Sequence, residues 1–236
     1  MEQWLEWARG PVFRACFVIM LLGLARAVVL NTVSIGSLIY ASKKNQREVP
    51  WRTVLTATLQ WVFPVKKGVE ARAVFSATSM LFHVCIIVTP IFLGAHILLW
   101  ERGLGISWPA IGNLAADYLT LLAIFTGVAL LVQRVGARAS RAISRPQDYF
   151  LPLLLIVPFV TGYLGMHPSL NPFGYNGTMF VHVMSANLIF LLIPFTKMSH
   201  VALFPGTQLI SEMGWHLKPG GGEQVAIALG KENESI

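Results

Sequence analysis

Charged residues are scarce in this sequence. They make up 12% of its 236 residues, against about 25% in an ordinary soluble domain. So little polar surface cannot cover a water-soluble globule of this size. A typical cytosolic enzyme, a disordered chain and a nucleic-acid binder are therefore excluded. Cysteine is scarce too: Cys16 and Cys85 both sit within apolar stretches, and no C-x-x-C-H occurs. That excludes a zinc framework and a covalently attached c-type haem, and leaves two thiols acting as small buried hydrophobes. Acidic residues number 11 against 18 lysines and arginines. The basic excess lies between apolar runs, where membrane topology calls for it, so it is no nucleic-acid patch.

Apolar length is what the chain has in abundance, with 55% hydrophobic residues. A helix needs about 20 mostly apolar residues to cross a hydrocarbon layer about 30 Å thick. Five stretches qualify: 12–40, 73–100, 112–135, 149–166 and 178–204. A sixth, 51–64, is shorter and flanked by Arg52, Lys66 and Lys67; it reads as an amphipathic helix lying at the interface. The expected fold class is an all-α membrane protein, a five-helix bundle over 1–204 followed by a polar tail over 205–236. Ala25-Arg26-Ala27 mimics a signal cleavage site, but Glu2 and Glu6 offset Arg9 and Arg14, and the apolar run continues to Tyr40. The segment reads as a retained helix. Pro219-Gly220-Gly221-Gly222 has no Lys-Ser/Thr after it and is no phosphate loop; it reads as a connector docking on a partner.

The links between spans differ in charge. Eleven basic residues occupy the links after the first and third spans, and one, Arg102, occupies the links after the second and fourth. The positive-inside rule then puts the N-terminus outside and the tail inside.

Four of the six histidines lie inside apolar spans: His83 and His96 on the second, His182 and His200 on the fifth. Ionisable residues at such depth are costly and mark function by default, and imidazole is a common haem ligand. In an ideal helix the 18 positions from His182 to His200 make a whole number of turns and span about 27 Å, and the 13 from His83 to His96 span about 20 Å. The second and fifth spans run in opposite directions. Depth therefore pairs His83 with His200 towards the inside and His96 with His182 towards the outside, as axial ligands of two b-type haems. Thirteen residues also turn an ideal helix by about 220°, so His83 and His96 share a face only if Pro90 kinks or unwinds the helix.

The stretch His182-Val-Met-Ser-Ala-Asn-Leu through Ile193-Pro194-Phe195-Thr196-Lys197-Met198-Ser199-His200, with the basic link Arg134–Arg145 leading into Asp148-Tyr149-Phe150, resembles respiratory nitrate reductase gamma subunits. The second-span histidines are further apart than in those subunits. The tail from Met213-Gly214-Trp215-His216 looks more like relatives in sulfate-reducing bacteria. The resemblance covers about residues 12–204. It implies a di-haem cytochrome b of a bacterial inner membrane, with His83, His96, His182 and His200 in the places of the family's ligands. It also implies electron exchange between a menaquinone-type quinol, or a periplasmic multihaem cytochrome c, and a cytoplasmic iron–sulfur subunit of heterodisulfide-reductase or nitrate-reductase type.

Other polar residues fit such a site. Arg26, Arg72 and Lys197 can grip haem propionates, since guanidinium and ammonium pair with carboxylate; equally, Arg26 can snorkel or pair with a protein carbonyl, and Lys197 and Arg72 can simply anchor helix ends. Asn113 and Asp117 on the third span, and Tyr163 and His167 at the end of the fourth, can serve a quinone site where protons leave, or act as a helix cap and interface anchors. With both axial positions filled, each iron is left to carry electrons, and the chain is an electron-transfer subunit of a quinone-linked oxidoreductase rather than a substrate-converting enzyme. Two other classes remain: a small haem-free proton or anion transporter using Arg26, Asp117 and the histidines, and a structural membrane anchor.

Overall fold

The computed structural model describes residues 1–44, 48–62, 65–217 and 227, leaving aside the side chains at 61–72 and 215–217. It is all-α: among the described residues there is no strand, only a single bridge between Leu93 and Ile111. Five helices are long and apolar enough to cross a membrane: Glu2–Lys44, Ala73–Phe92, Asn113–Gly136, Gln147–Met166 and Tyr175–Phe195. The protein is thus a multi-pass membrane protein. In chain order its helices are α1 (Glu2–Lys44), α2 (Trp51–Val62), α3 (Val65–Phe92), α4 (Gly94–Leu104), α5 (Asn113–Gly136), α6 (Arg138–Ile143), α7 (Gln147–Met166), α8 (Tyr175–Leu192) and α9 (His200–Leu217).

The expected boundaries need four corrections. The first helix begins at Glu2 rather than 12, because a single π-type turn at Ala8–Val12 absorbs Pro11, which has no N–H to give, without ending the helix. The second span is two helices: Leu93 is extended between α3 and α4, and α4 runs on to Leu104. The fifth is also interrupted. Two short 3-10 turns, Ile193–Phe195 and Lys197–Ser199, flank an extended Thr196 whose side chain accepts from the Met198 N–H. The start of the expected polar tail is helical, because α9 continues from His200 through Pro205 to Leu217. The remainder of the tail, Pro219–Gly222 included, lies outside the described residues.

The chain divides into two compact units. One comprises Met1–Ile19 and Gly68–Leu192, the other Met20–Lys67 and Ile193–Ile236. In the first, α7 packs against both α5 and α8. Small residues allow the approach. Ala116, Thr120, Ala123 and Gly127 recur at steps of three and four along α5 and are buried. A Cβ on Gly127 would stand 2.8 Å from Ile156 of α7 and 2.9 Å from Phe82 of α3. Membrane helices pack by such close contact, since lipid removes the hydrophobic drive between them. The start of α1 is tied to α8 by a bond from Asn187 Nδ2 to the Ala8 carbonyl, at 3.0 Å and fully buried. Phe13, Phe17 and Phe190 pack with centroids 5.8–5.9 Å apart.

In the second unit α2 packs against α9. Val54 and Thr58, one turn apart, are buried, while Trp51, Leu55 and Leu59 form an exposed apolar row. That two-sided pattern suits a helix lying in an interface. Gly23 of α1 fits against Pro194, and Gly206 of α9 fits against Asn31.

Candidate functional site

The break at Leu93 builds the site. An uninterrupted helix would give the carbonyls of Pro90, Ile91 and Phe92 the N–H groups four residues on. With Leu93 extended, each finds another donor: His96 Nδ1 at 2.9 Å from Pro90 O, the Trp108 indole N–H at 2.9 Å from Ile91 O, and the Ile111 N–H at 3.0 Å from Phe92 O. The loop before α5 folds back to supply two of these donors, so no carbonyl is stranded in an apolar setting, where each would cost several kcal/mol. Because of the same break, ideal-helix phase does not carry from His83 to His96.

His96 meets His182 of α8. Their ring centroids are 6.1 Å apart and their planes lie 32° from parallel. His182 Nδ1 bonds to the Pro158 carbonyl of α7 at 2.8 Å, with Thr161 Oγ1 at 3.4 Å. Gly162 makes room for the ring, because a Cβ there would stand 3.1 Å from His182 Cε1. Both imidazoles thus spend Nδ1 on a backbone carbonyl, which fixes the tautomer with a lone pair on Nε2. Metal-ligating histidines are held in this way. Two metal–imidazole bonds of about 2 Å, plus about 1 Å from each nitrogen to its ring centre, require centroids about 6 Å apart. The observed spacing fits one metal held between the rings. Among the described residues no three His, Cys, Asp or Glu side chains converge as metal ligands. Two imidazoles suffice where a porphyrin supplies the other four positions, and fall short of the three or four protein ligands zinc takes.

Two details at this site were not foreseen. Arg9, in the π-type turn of α1, adjoins Ala8, whose carbonyl is held by Asn187 of α8. Asn187 of α8 is buried with Oδ1 unpartnered among the described residues, although its Nδ2 is bonded. Only a contact spanning 179 positions of sequence reveals either.

His83 and His200 fall in separate units and are described singly. His83 is half-buried on α3, Nδ1 2.7 Å from Ser79 O, with Phe82 edge-on to its ring. His200 opens α9 in an exposed position, Nδ1 2.6 Å from Lys197 O. Each has the carbonyl-bonded Nδ1 seen in the other pair. The helical phase expected between His182 and His200 does not apply, because residues 193–199 interrupt the helix.

Three of the four expected quinone-site residues come together at the Met166 end of α7. His167 stacks on Tyr163 at 4.1 Å, bonds by Nδ1 to the Tyr163 carbonyl at 2.9 Å, and turns Nε2 to Asp117 Oδ2 at 3.4 Å. Asn113, one turn before Asp117, is exposed. Arg26 stands on an exposed face of α1. Lys197 is exposed as well, and the Arg72 side chain lies outside the described residues. Asp148 caps the start of α7, its Oδ2 accepting from the Arg145 N–H at 2.8 Å.

Fold and site together define an all-α, multi-pass membrane protein carrying a facing imidazole pair. The chain is similar to a curated protein of Nitratidesulfovibrio vulgaris (strain Hildenborough), named there simply "Protein". The two are 27% identical over 214 residues, covering 90% of this chain and 93% of the relative. No family model and no solved structure matches the chain.

Proposed function

We propose that the protein is a di-haem cytochrome b subunit of a bacterial inner-membrane complex. It would pass electrons between a menaquinone-type quinol, or a periplasmic multihaem cytochrome, and a cytoplasmic iron–sulfur subunit. The observation that carries this reading is the pair His96 and His182, at metal-bridging distance with both Nδ1 atoms bonded to carbonyls. A haem bound there would supply a one-electron couple in a low-dielectric setting. His83 and His200 are the proposed ligands of a second haem, on the strength of their depth in the sequence and their own Nδ1 bonds to carbonyls. Lys197 and Arg72 remain proposed propionate partners.

The chain's residues set what the site does. Pro90 and Pro158 carbonyls hold the imidazoles in one tautomer, which raises ligand basicity and keeps ligation unchanged as the electron comes and goes. Gly162 and the break at Leu93 give the rings their positions. The His167–Asp117 pair is placed to take a proton from a quinol hydroxyl, with Tyr163 stacked beneath the imidazole.

The test is a reduced-minus-oxidised spectrum and a haem count on the purified protein. Two b-type haems per chain are expected. A colourless, iron-free preparation ends the reading and favours the haem-free transporter.

A further inference from the structure

Arg26 presents a problem that the haem site leaves unsolved. Wherever a span of about 20 residues is drawn within the run 12–40, Arg26 stays five or more residues inside it, roughly 8 Å from the nearer boundary. At the centre of the run it is deeper than its side chain can snorkel. Yet it stands on an exposed face, and among the described residues no carboxylate pairs with it.

That face is distinct from the side of α1 that packs. Gly23 and Asn31 mark the packed side, against Pro194 and Gly206. At about 100° per residue, Leu22, Arg26, Val33 and Tyr40 fall within about 40° of one another, roughly 120° around the helix from the packed side. Leu22, Val33 and Tyr40 are 67%, 61% and 70% exposed. The result is one apolar strip with a single cation at its middle.

The occupant follows from charge. A buried guanidinium calls for a carboxylate at the same depth. The carboxylates of the described spans lie at helix ends: Glu2 and Glu6 open α1, Asp117 faces His167, and Asp148 caps α7. A second copy of the chain therefore has none to offer at that depth. We propose that the Leu22–Arg26–Val33–Tyr40 face of α1 seats a transmembrane helix of a different protein, one that carries an aspartate or glutamate at mid-depth opposite Arg26. The proposal does not depend on haem.

The experiment uses the native complex in its own membrane. A photo-crosslinking residue is placed at Leu22 or Val33 with Arg26 intact, and at Ala27, toward the packed side, as a control. Crosslinks from positions 22 and 33, and not from 27, to one membrane-spanning subunit are expected, at a helix bearing a mid-depth carboxylate. Arg26→Glu is expected to cut retention of that subunit at least tenfold, and Arg26→Lys to keep most of it. Changing the subunit's carboxylate to arginine in the Arg26→Glu background is expected to restore it. Crosslinks to lipid alone, to a second copy, or to a helix without a carboxylate overturn the proposal. So does an Arg26→Leu chain that keeps the whole complex, whether its haem spectrum is altered, which assigns Arg26 to a propionate, or unchanged.

Discussion

Two histidine sites in the first unit surround the same side chain with different partners. At His96 and His182, each Nδ1 bonds to a neutral carbonyl and the other imidazole is the facing group. At His167, Nδ1 also bonds to a carbonyl, but Nε2 faces the Asp117 carboxylate. The first arrangement leaves one Nε2 lone pair on each of two rings whose centroids are 6.1 Å apart. The second commits both nitrogens, one to a carbonyl and one to a carboxylate. Membership of a histidine-rich membrane segment therefore does not fix a histidine's role. The partner of its second nitrogen does.

The sharpest test of that contrast is removal of the rings. His96→Ala or His182→Ala is expected to halve the haem content from two to one per chain, read by the spectrum of the extracted haem. His167→Ala is expected to leave the count at two. Equal loss from His167→Ala erases the distinction.

Next in size is Gly162→Leu. A Cβ at this position already stands 3.1 Å from His182 Cε1, and a branched side chain there must displace the ring. Loss of the same haem is expected, and Gly162→Ala should shift its potential and keep it bound. A Gly162→Leu chain with both haems at wild-type potential would mean that the ring is not set by this contact.

Asp117→Asn addresses the other site. The amide is nearly the same size but cannot stabilise a charged His167. Haem content should stay at two, while reduction by a menaquinol analogue slows by about 10²-fold, the lower end of what one acid–base group contributes. Wild-type rates with both haems present would leave the pair a structural contact of the kind worth little near a surface.

The spans were legible because composition and length decide them: a run of about 20 apolar residues has few other fates. The depth pairing of His96 with His182 was legible for the same reason, since opposite chain directions fix relative height. The interruptions were only half legible. Pro90 signalled disturbance in the second span, but the extended residues are Leu93 and, in the fifth, Thr196, and nothing local to Leu93 marks it. What makes it tolerable is Trp108, whose indole N–H reaches the Ile91 carbonyl seventeen positions back. The helical start of the tail was hidden by its polarity. Its stability comes from packing on α2, which hydropathy does not register. Arg9 escaped notice because it sits in the first turns of α1, before the apolar run begins.

Trp108→Phe gives the smallest effect and isolates the break from the ligands. The indole N–H satisfies the Ile91 carbonyl, the middle one of the three that the break leaves without helical donors. Phenylalanine keeps most of the ring's bulk and its contact with Trp100, 6.3 Å between centroids, but removes the donor. An unsatisfied buried carbonyl costs about 1–3 kcal/mol, and water reaching it from the loop lowers that figure. A thermal melt in detergent should shift down by a few degrees, at about 2–4 °C per kcal/mol for a chain of this size. Haem content should hold at two, because the Pro90 carbonyl still anchors His96 and the Ile111 N–H still caps Phe92. If haem is lost instead, the three bonds act as one unit, and the loop before α5 belongs to the binding site itself.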